Sequence, residues 1–162
     1  MRGEGGGDEV EFFMPAEAGA PMEGGFDLIA HGCNCFCSMG AGIAKGVRTA
    51  VPEAYELDLV TSKGARAKLR TCSAAEAIGD KWIFVVVNAY TQYDYRGRGN
   101  KEEYEAVRSC MRWIRENYSG RRIGLPKTGA GLARGNWEWI AKIILEELAG
   151  EDATIVEFKQ TD

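Results

Sequence analysis

The residues best equipped for chemistry crowd into one stretch of this chain. His31-Gly32-Cys33-Asn34-Cys35-Phe36-Cys37-Ser38-Met39 runs directly into Gly40-Ala41-Gly42-Ile43-Ala44-Lys45-Gly46. His31 is the only histidine, and an imidazole with an ordinary pKa of about 6.5 can give or take a proton at neutral pH. A histidine here can equally do no more than hydrogen-bond the loop backbone. Asn34 carries an amide donor and a carbonyl acceptor suited to sugar hydroxyls, or can cap its own loop as an Asx turn. The three cysteines alternate with other residues. Zinc sites usually leave two or more residues between paired ligands and add a second pair elsewhere. Cys72 and Cys110 stand isolated, so the expectation is free thiols and no metal. A thiolate made reactive by a nearby helix start is a further option for this loop.

The glycine phrase is said twice. Gly129-Ala130-Gly131-Leu132-Ala133-Arg134-Gly135 repeats the pattern of Gly40–Gly46. Each copy follows an apolar, strand-like run and precedes a stretch of helical periodicity. Glycine allows close backbone approach, and a helix start leaves N–H groups unpaired. Such a turn can cradle an anionic group, and two of them suit a ligand with more than one phosphate. Small residues also permit a helix to pack tightly on a sheet, which is the structural alternative. Lys45 and Arg134 close the phrases, either beside phosphate or in solvent. A third segment, Asn88-Ala89-Tyr90-Thr91-Gln92-Tyr93-Asp94-Tyr95, offers amides and tyrosines for hydroxyls and a ring, or forms an ordinary loop with half-buried tyrosines. A dinucleotide fingerprint does not fit. It wants glycines directly after the strand and an acidic residue at the end of the next strand, whereas Glu56 and Asp58 fall in a helical stretch.

These loops need elements to hold them. Val10–Met14 reads as a first edge strand, followed by a loose segment to Gly25, and Phe26–Ala30 as a short strand ending at the His31 loop. A helix is expected from about Ala41 to Ala50, closed by Pro52. A second runs over Glu53–Ser62 with Gly64 as its stop. Lys68–Ala77 reads as a strand of mixed polarity, and Trp82–Val87 as a strand covered on both faces. Asn100 resembles an N-cap with Glu103 as capping-box partner. Tyr104, Val107, Met111 and Ile114 then supply a buried helical face. Ile123–Leu125 is a short strand, and Trp137, Ile140, Ile144 and Leu148 make another amphipathic helix stopped near Gly150. Thr154–Phe158 is the last strand. Strands alternating with helices predict an α/β fold, a three-layer α/β/α sandwich.

Composition narrows the setting. The chain has 162 residues, 45% of them hydrophobic, which suits one domain over residues 10–162 with residues 1–9 as a flexible tail. The opening residues carry no apolar core of a signal peptide, and no apolar run approaches the roughly 18 residues of a membrane span. A net charge of −4 argues against a broad phosphate-coating surface for duplex nucleic acid, though Arg66–Arg70 and Arg121–Arg122 are local basic spots. Five cysteines without a secretory context suggest reduced thiols and a cytoplasmic location.

In their order along the chain these motifs resemble the macro domain, the ADP-ribose-binding module. The resemblance rests on Asp27–Cys35, Met39–Ala44, Asn88–Gln92 and Leu125–Leu132, and covers roughly Phe26 to the C-terminus. It implies a mixed central sheet between helical layers. It also implies that Gly40, Ala41, Gly42, Ile43 and Ala44, with Thr128, Gly129, Ala130, Gly131 and Leu132, embrace the diphosphate and distal ribose. Asn34 would contact that ribose, with Asn88 and Tyr90 lining the same end of the pocket. The His-x-Cys-Asn-Cys opening is similar to the phage and fungal branch associated with ADP-ribose 1''-phosphate phosphatase activity. That implies His31 near the terminal phosphate as general acid or base, without a cofactor. Alternatives are a non-catalytic module for ADP-ribose or an ADP-ribosylated protein or nucleic acid, and an ADP-ribosyl hydrolase. Three departures matter, one of them Thr128, which stands where a small apolar residue is more usual. Val10–Ala18 lacks the Gly-Asp pair that holds adenine in many macro domains. The lysine and aspartate of the glycohydrolase branch are matched here by Arg48 and Ala133.

Overall fold

The computed structural model describes residues 2–5, 25–40, 42–78, 83–94, 101–127 and 136–159. In chain order the elements are β1 (Arg2–Gly5), β2 (Leu28–Cys33), α1 (Gly42–Ala50), α2 (Pro52–Leu59), a short 3-10 turn at Arg66–Lys68, β3 (Cys72–Ile78), β4 (Ile83–Tyr90), α3 (Lys101–Tyr118), β5 (Ile123–Lys127), α4 (Trp137–Glu147) and β6 (Ala153–Lys159). One sheet orders them β1-β6-β5-β2-β4-β3. All neighbours are parallel except β3, which runs antiparallel to β4. No helix among the described residues is long and apolar enough to cross a membrane.

Alternation along the strands divides the core between two faces. Leu28, Ala30, Val85, Val87 and Ala89 pack with Val107, Met111 and Ile114 of α3 and Ile140, Ile143 and Ile144 of α4. Ile29, Val86, Phe84 and Ala75 point the other way, onto Ile43 and Val47 of α1, Val51, and Ala54 of α2. The sheet is therefore covered on both sides, and the three-layer mixed α/β arrangement is the observed one. Full burial of each such aliphatic side chain contributes about 1.5–3 kcal/mol, which explains why β2 and β4 tolerate runs without a solvent face.

Most elements lie where the periodicity puts them, with three informative differences. β2 does not stop at Ala30 but continues through His31, Gly32 and Cys33. β3 begins only at Cys72, because Arg66–Lys68 forms a turn that carries Lys68 to the interior. The edge strand β1 falls in the segment expected to be a tail. Its pairing with β6 needs only backbone groups, so Arg, Gly and Glu side chains gave no strand signal. The expected strand Val10–Met14 and the expected cap Asn100 lie outside the described residues; α3 nonetheless starts at Lys101.

Candidate functional site

β2 and β5 are parallel neighbours, with Leu28 opposite Ile123 and Ile29 opposite Gly124. At their amino ends Asp27 and Arg122 clamp them together. The Arg122 guanidinium donates from Nε (3.0 Å) and Nη2 (2.9 Å) to the Asp27 carboxylate, and the Arg122 backbone N–H adds a third bond at 3.0 Å. These bonds hold the Asp27 carboxyl below its usual pKa. The carboxyl ends of the two strands consequently open side by side. From there the chain departs in opposite directions. After β2 it passes along one face, through α1 and α2, to β3 and β4. After β5 it passes along the other face, through α4, to β6. This divergence is a topological switch point, the place where open α/β sheets leave a crevice for ligands.

Most of one wall of that crevice lies within the described residues. Beyond Cys33 the chain makes an Asx turn in which Asn34 Oδ1 accepts from the Phe36 N–H at 2.8 Å, while Asn34 Nδ2 donates to Ser38 Oγ at 2.8 Å. Gly64 N–H donates to Cys35 O at 2.7 Å, Cys35 N–H donates to Tyr93 O at 2.9 Å, and Tyr93 Oη donates to Gly64 O at 2.8 Å. Phe36 packs edge-on against Tyr93, 5.1 Å between ring centroids, and Arg66 lies over the other side of Tyr93. The loop is thus pinned from beneath. Cys37 and Met39 adopt positive φ, +56° and +37°, and α1 starts at Gly42. Gly40 is exposed, and among the described residues a Cβ built on it would meet only Ser38 O, at 3.8 Å. Ile43 is buried in the core beneath, Ala44 is half-buried and Lys45 exposed. The exposed Gly40 immediately before α1 leaves backbone accessible at that helix start, as an anion cradle requires.

Ala41, and the whole second phrase with Thr128, Gly129, Ala130, Gly131 and Leu132, lie outside the described residues. What is described is the strand that delivers that phrase. β5, which pairs with β2 at Ile123 and Gly124, runs on to Lys127.

The positions expected to face ligand from β2 and β4 are interior ones. His31 is opposite Asn88 and Cys33 opposite Tyr90 in the strand register, and Ser73 of β3 is opposite Asn88 on the other side. All point to the α1–α2 face, the period-2 consequence of β2 continuing past Ala30. His31, Asn88 and Tyr90 are no more than 1% exposed. Asn88 Nδ2 donates to Ala54 O (3.0 Å) and Ser73 Oγ (3.1 Å), so its Oδ1 faces His31 Nε2 at 2.7 Å and accepts the imidazole proton. Cys33 Sγ lies 3.7 Å from the other ring nitrogen. Burial drives the His31 pKa down to about 4, only partly opposed by the Asn88 bond, so the imidazole is neutral at physiological pH. The expectation of His31 as an acid or base facing a terminal phosphate is therefore corrected. The ring has no solvent face, and its proton is committed to Asn88. Asn88 and Tyr90 likewise buttress the loop from inside rather than line an open pocket.

The rest of the network was not anticipated. Ser73 Oγ donates to Tyr90 Oη at 3.0 Å, Tyr90 Oη donates to Asp58 Oδ1 at 2.7 Å, and Lys68 Nζ donates to the same carboxylate at 3.2 Å. Asp58 and Lys68 side chains are 1% and 4% exposed. The ammonium also sits 4.4 Å from the Tyr90 ring centroid and 3.3 Å from Cys37 Sγ. Burial pushes the Tyr90 phenol well up. A charge pair, a phenol, a hydroxyl and an amide thus join α2, the 3-10 turn, β3, β4 and β2 under the candidate loop. The buried Asp58 could have been suspected from its helical spacing with Ala54, but nothing local signals that Lys68 is its partner. Among the described residues no group of three or more His, Cys, Asp or Glu side chains is placed to hold a metal ion, and all five cysteines are free thiols.

Comparison with known proteins agrees with this architecture. A family model for the macro domain matches residues 30–144. A protein of Enterobacteria phage T4, described as an uncharacterized 17.5 kDa protein in the tk-vs intergenic region, is 36% identical over 121 residues, covering 72% of this chain and 76% of its own length. Among solved structures, the macrodomain of Thermus aquaticus DarG superimposes with a TM-score of 0.63 at 17% identity, covering 99% of this chain and 100% of that one. The macrodomain of Mycobacterium tuberculosis DarG gives 0.64 at 15% identity, with 99% and 100% covered. Thermosipho africanus DarTG in complex with ADP-ribose gives 0.62 at 17% identity, covering 85% of this chain and 40% of that one. The structural neighbours share the fold; the sequence match over residues 30–144 and the phage relative establish kinship, and the chain belongs to the macro domain family.

Proposed function

We propose that this protein binds ADP-ribose, or a phosphorylated derivative of it, in the crevice outside the carboxyl ends of β2 and β5. The observation that carries this reading is the switch point itself. Two parallel neighbours diverge there, and each is followed in sequence by one copy of the glycine phrase. Gly40–Ala44 would hold one side of the diphosphate with the amides at the start of α1, and Thr128–Leu132 the other side. Asn34 would exchange its Ser38 bond for a hydroxyl of the distal ribose. The solved DarTG complex with ADP-ribose shares this fold, which supports the ligand class. The same group carried on a protein or nucleic acid would present the same contacts.

Hydrolysis of the terminal phosphate of ADP-ribose 1''-phosphate is the reaction we propose for this site. With His31 interior, the loop amides would act as oxyanion-type donors to the developing charge, and the imidazole would hold the loop in place. With the imidazole proton held inside the fold, turnover should be slow. Phosphate release from this substrate by wild type and by His31→Gln tests the assignment. Slow release by both fits. Complete loss in a folded His31→Gln protein would return the proton transfer to the imidazole, and no release by either would leave a binding module.

A further inference from the structure

Cys37 and Lys68 take no direct part in the ligand contacts proposed above, yet their reactive atoms touch. Lys68 Nζ is 3.3 Å from Cys37 Sγ and 3.2 Å from Asp58 Oδ1. The positive φ of Cys37 turns its side chain back under the loop, where Sγ also lies 3.1 Å from the Asp58 carbonyl oxygen. Cys37 is 8% exposed and flanked by the exposed Ser38, so a small oxidant has only a thin layer to cross. Cys35 is 0% exposed, its thiol pushed up to about 11 by burial, and burial also raises the Cys33 thiol well above its ordinary value. Among the described residues, neither is within bonding distance of an amine side chain. One sulfur near the surface, one amine against it and one carboxylate behind the amine form a reactive triplet.

We propose that Cys37 and Lys68 are an oxidative modification site, in which a peroxide converts the contact into a covalent sulfur–nitrogen bond. The Cys37 thiol sulfur attacks the peroxide, the O–O bond breaks, one oxygen stays on sulfur as a sulfenic acid and the other takes up the thiol proton and leaves as water. Sulfur is oxidised and peroxide reduced in that step. The Lys68 ammonium then gives a proton to Asp58, and the amine lone pair attacks sulfur. The S–O bond breaks and the hydroxyl departs as water with an amine hydrogen, giving a sulfenamide without further oxidant. The link removes the ammonium from Asp58 and ties the Asn34–Gly40 loop to the Arg66–Lys68 turn. Reduction by a thiol restores both groups.

Peptide mass analysis of the folded full chain after hydrogen peroxide treatment and alkylation tests this directly. The expected main oxidised form is a linked pair of peptides carrying Cys37 and Lys68, lighter by two hydrogens than the reduced pair, with trypsin unable to cut after Lys68. Dithiothreitol should dissolve it. Cys37→Ser should abolish the link while leaving the Asp58–Lys68 pair in place, so it remains informative if Lys68→Arg fails to fold. Recovery of Cys37 as sulfinic acid, as a disulfide or as unmodified thiol, with Lys68 cleaved normally, overturns the proposal. So does persistence of the link in Cys37→Ser.

Discussion

His31 Nε2 donates to Asn88 Oδ1 across 2.7 Å, and neither residue has any exposed surface. The bond joins the last turn-ward half of β2 to β4 just beneath the candidate loop. Because Asn88 spends both amide hydrogens on Ala54 and Ser73, its carbonyl places the imidazole proton on Nε2, while burial keeps the ring neutral.

That fixed neutrality gives the protein a measurable pH response. The folded pKa is depressed to about 4 by burial, while the unfolded chain protonates near its ordinary value of about 6.5. The unfolded state thus takes up the proton first, and the stability contributed by neutral His31 is complete above about pH 6.5 and lost as pH falls toward about 4. From about pH 7.5 to pH 5 the loss should be on the order of 2 kcal/mol. Urea midpoints across this range should fall in wild type and stay flatter in His31→Gln. Because His31 is the sole histidine, its ring proton resonances report the folded pKa without assignment.

The Asp58–Lys68 pair should be costly to break on one side only. Lys68→Met or Asp58→Leu leaves a buried charge without its partner, and each should lower stability by about 3–5 kcal/mol. The double substitution should cost clearly less than the sum, since the two groups touch. Chemical denaturation of the three variants reads this coupling; additive losses would contradict it.

Two glycines in the same neighbourhood should behave oppositely. Gly64 has φ +77°, and a Cβ there would stand 3.1 Å from Phe36 Cε1, so Gly64→Ala should destabilise by about 1–3 kcal/mol. Among the described residues Gly40 has room for a Cβ, so Gly40→Val should change stability by no more than about 0.5 kcal/mol. Thermal melts separate the two. A large loss at Gly40 would mark it as a packing glycine, not part of a cradle.

Much of the fold could be read from the chain because its signals are local. Val107, Met111 and Ile114 repeat at helical spacing and are all fully buried, and the Asn136 side chain caps α4 by accepting from the Glu138 N–H at 2.9 Å. The site was harder. Gly32 and the polar flanks of His31 look like a loop, yet those residues continue β2 because Asn88 and Tyr90 satisfy them from the next strand. The polarity of these residues reflects interior pairing, not exposure. Lys68 is separated from Asp58 by the turn at Arg66–Lys68, a tertiary relation no spacing rule encodes. The switch point, by contrast, follows from strand order, which sequence periodicity does not supply.

Calorimetric titration of the protein with ADP-ribose, run beside Gly40→Val, tests the central reading most directly. The account predicts saturable binding at one site per chain, and at least tenfold weaker binding, about 1.4 kcal/mol or more, for Gly40→Val with an unchanged melting temperature. Absence of binding heat, together with no rise in melting temperature at saturating ADP-ribose, would contradict it.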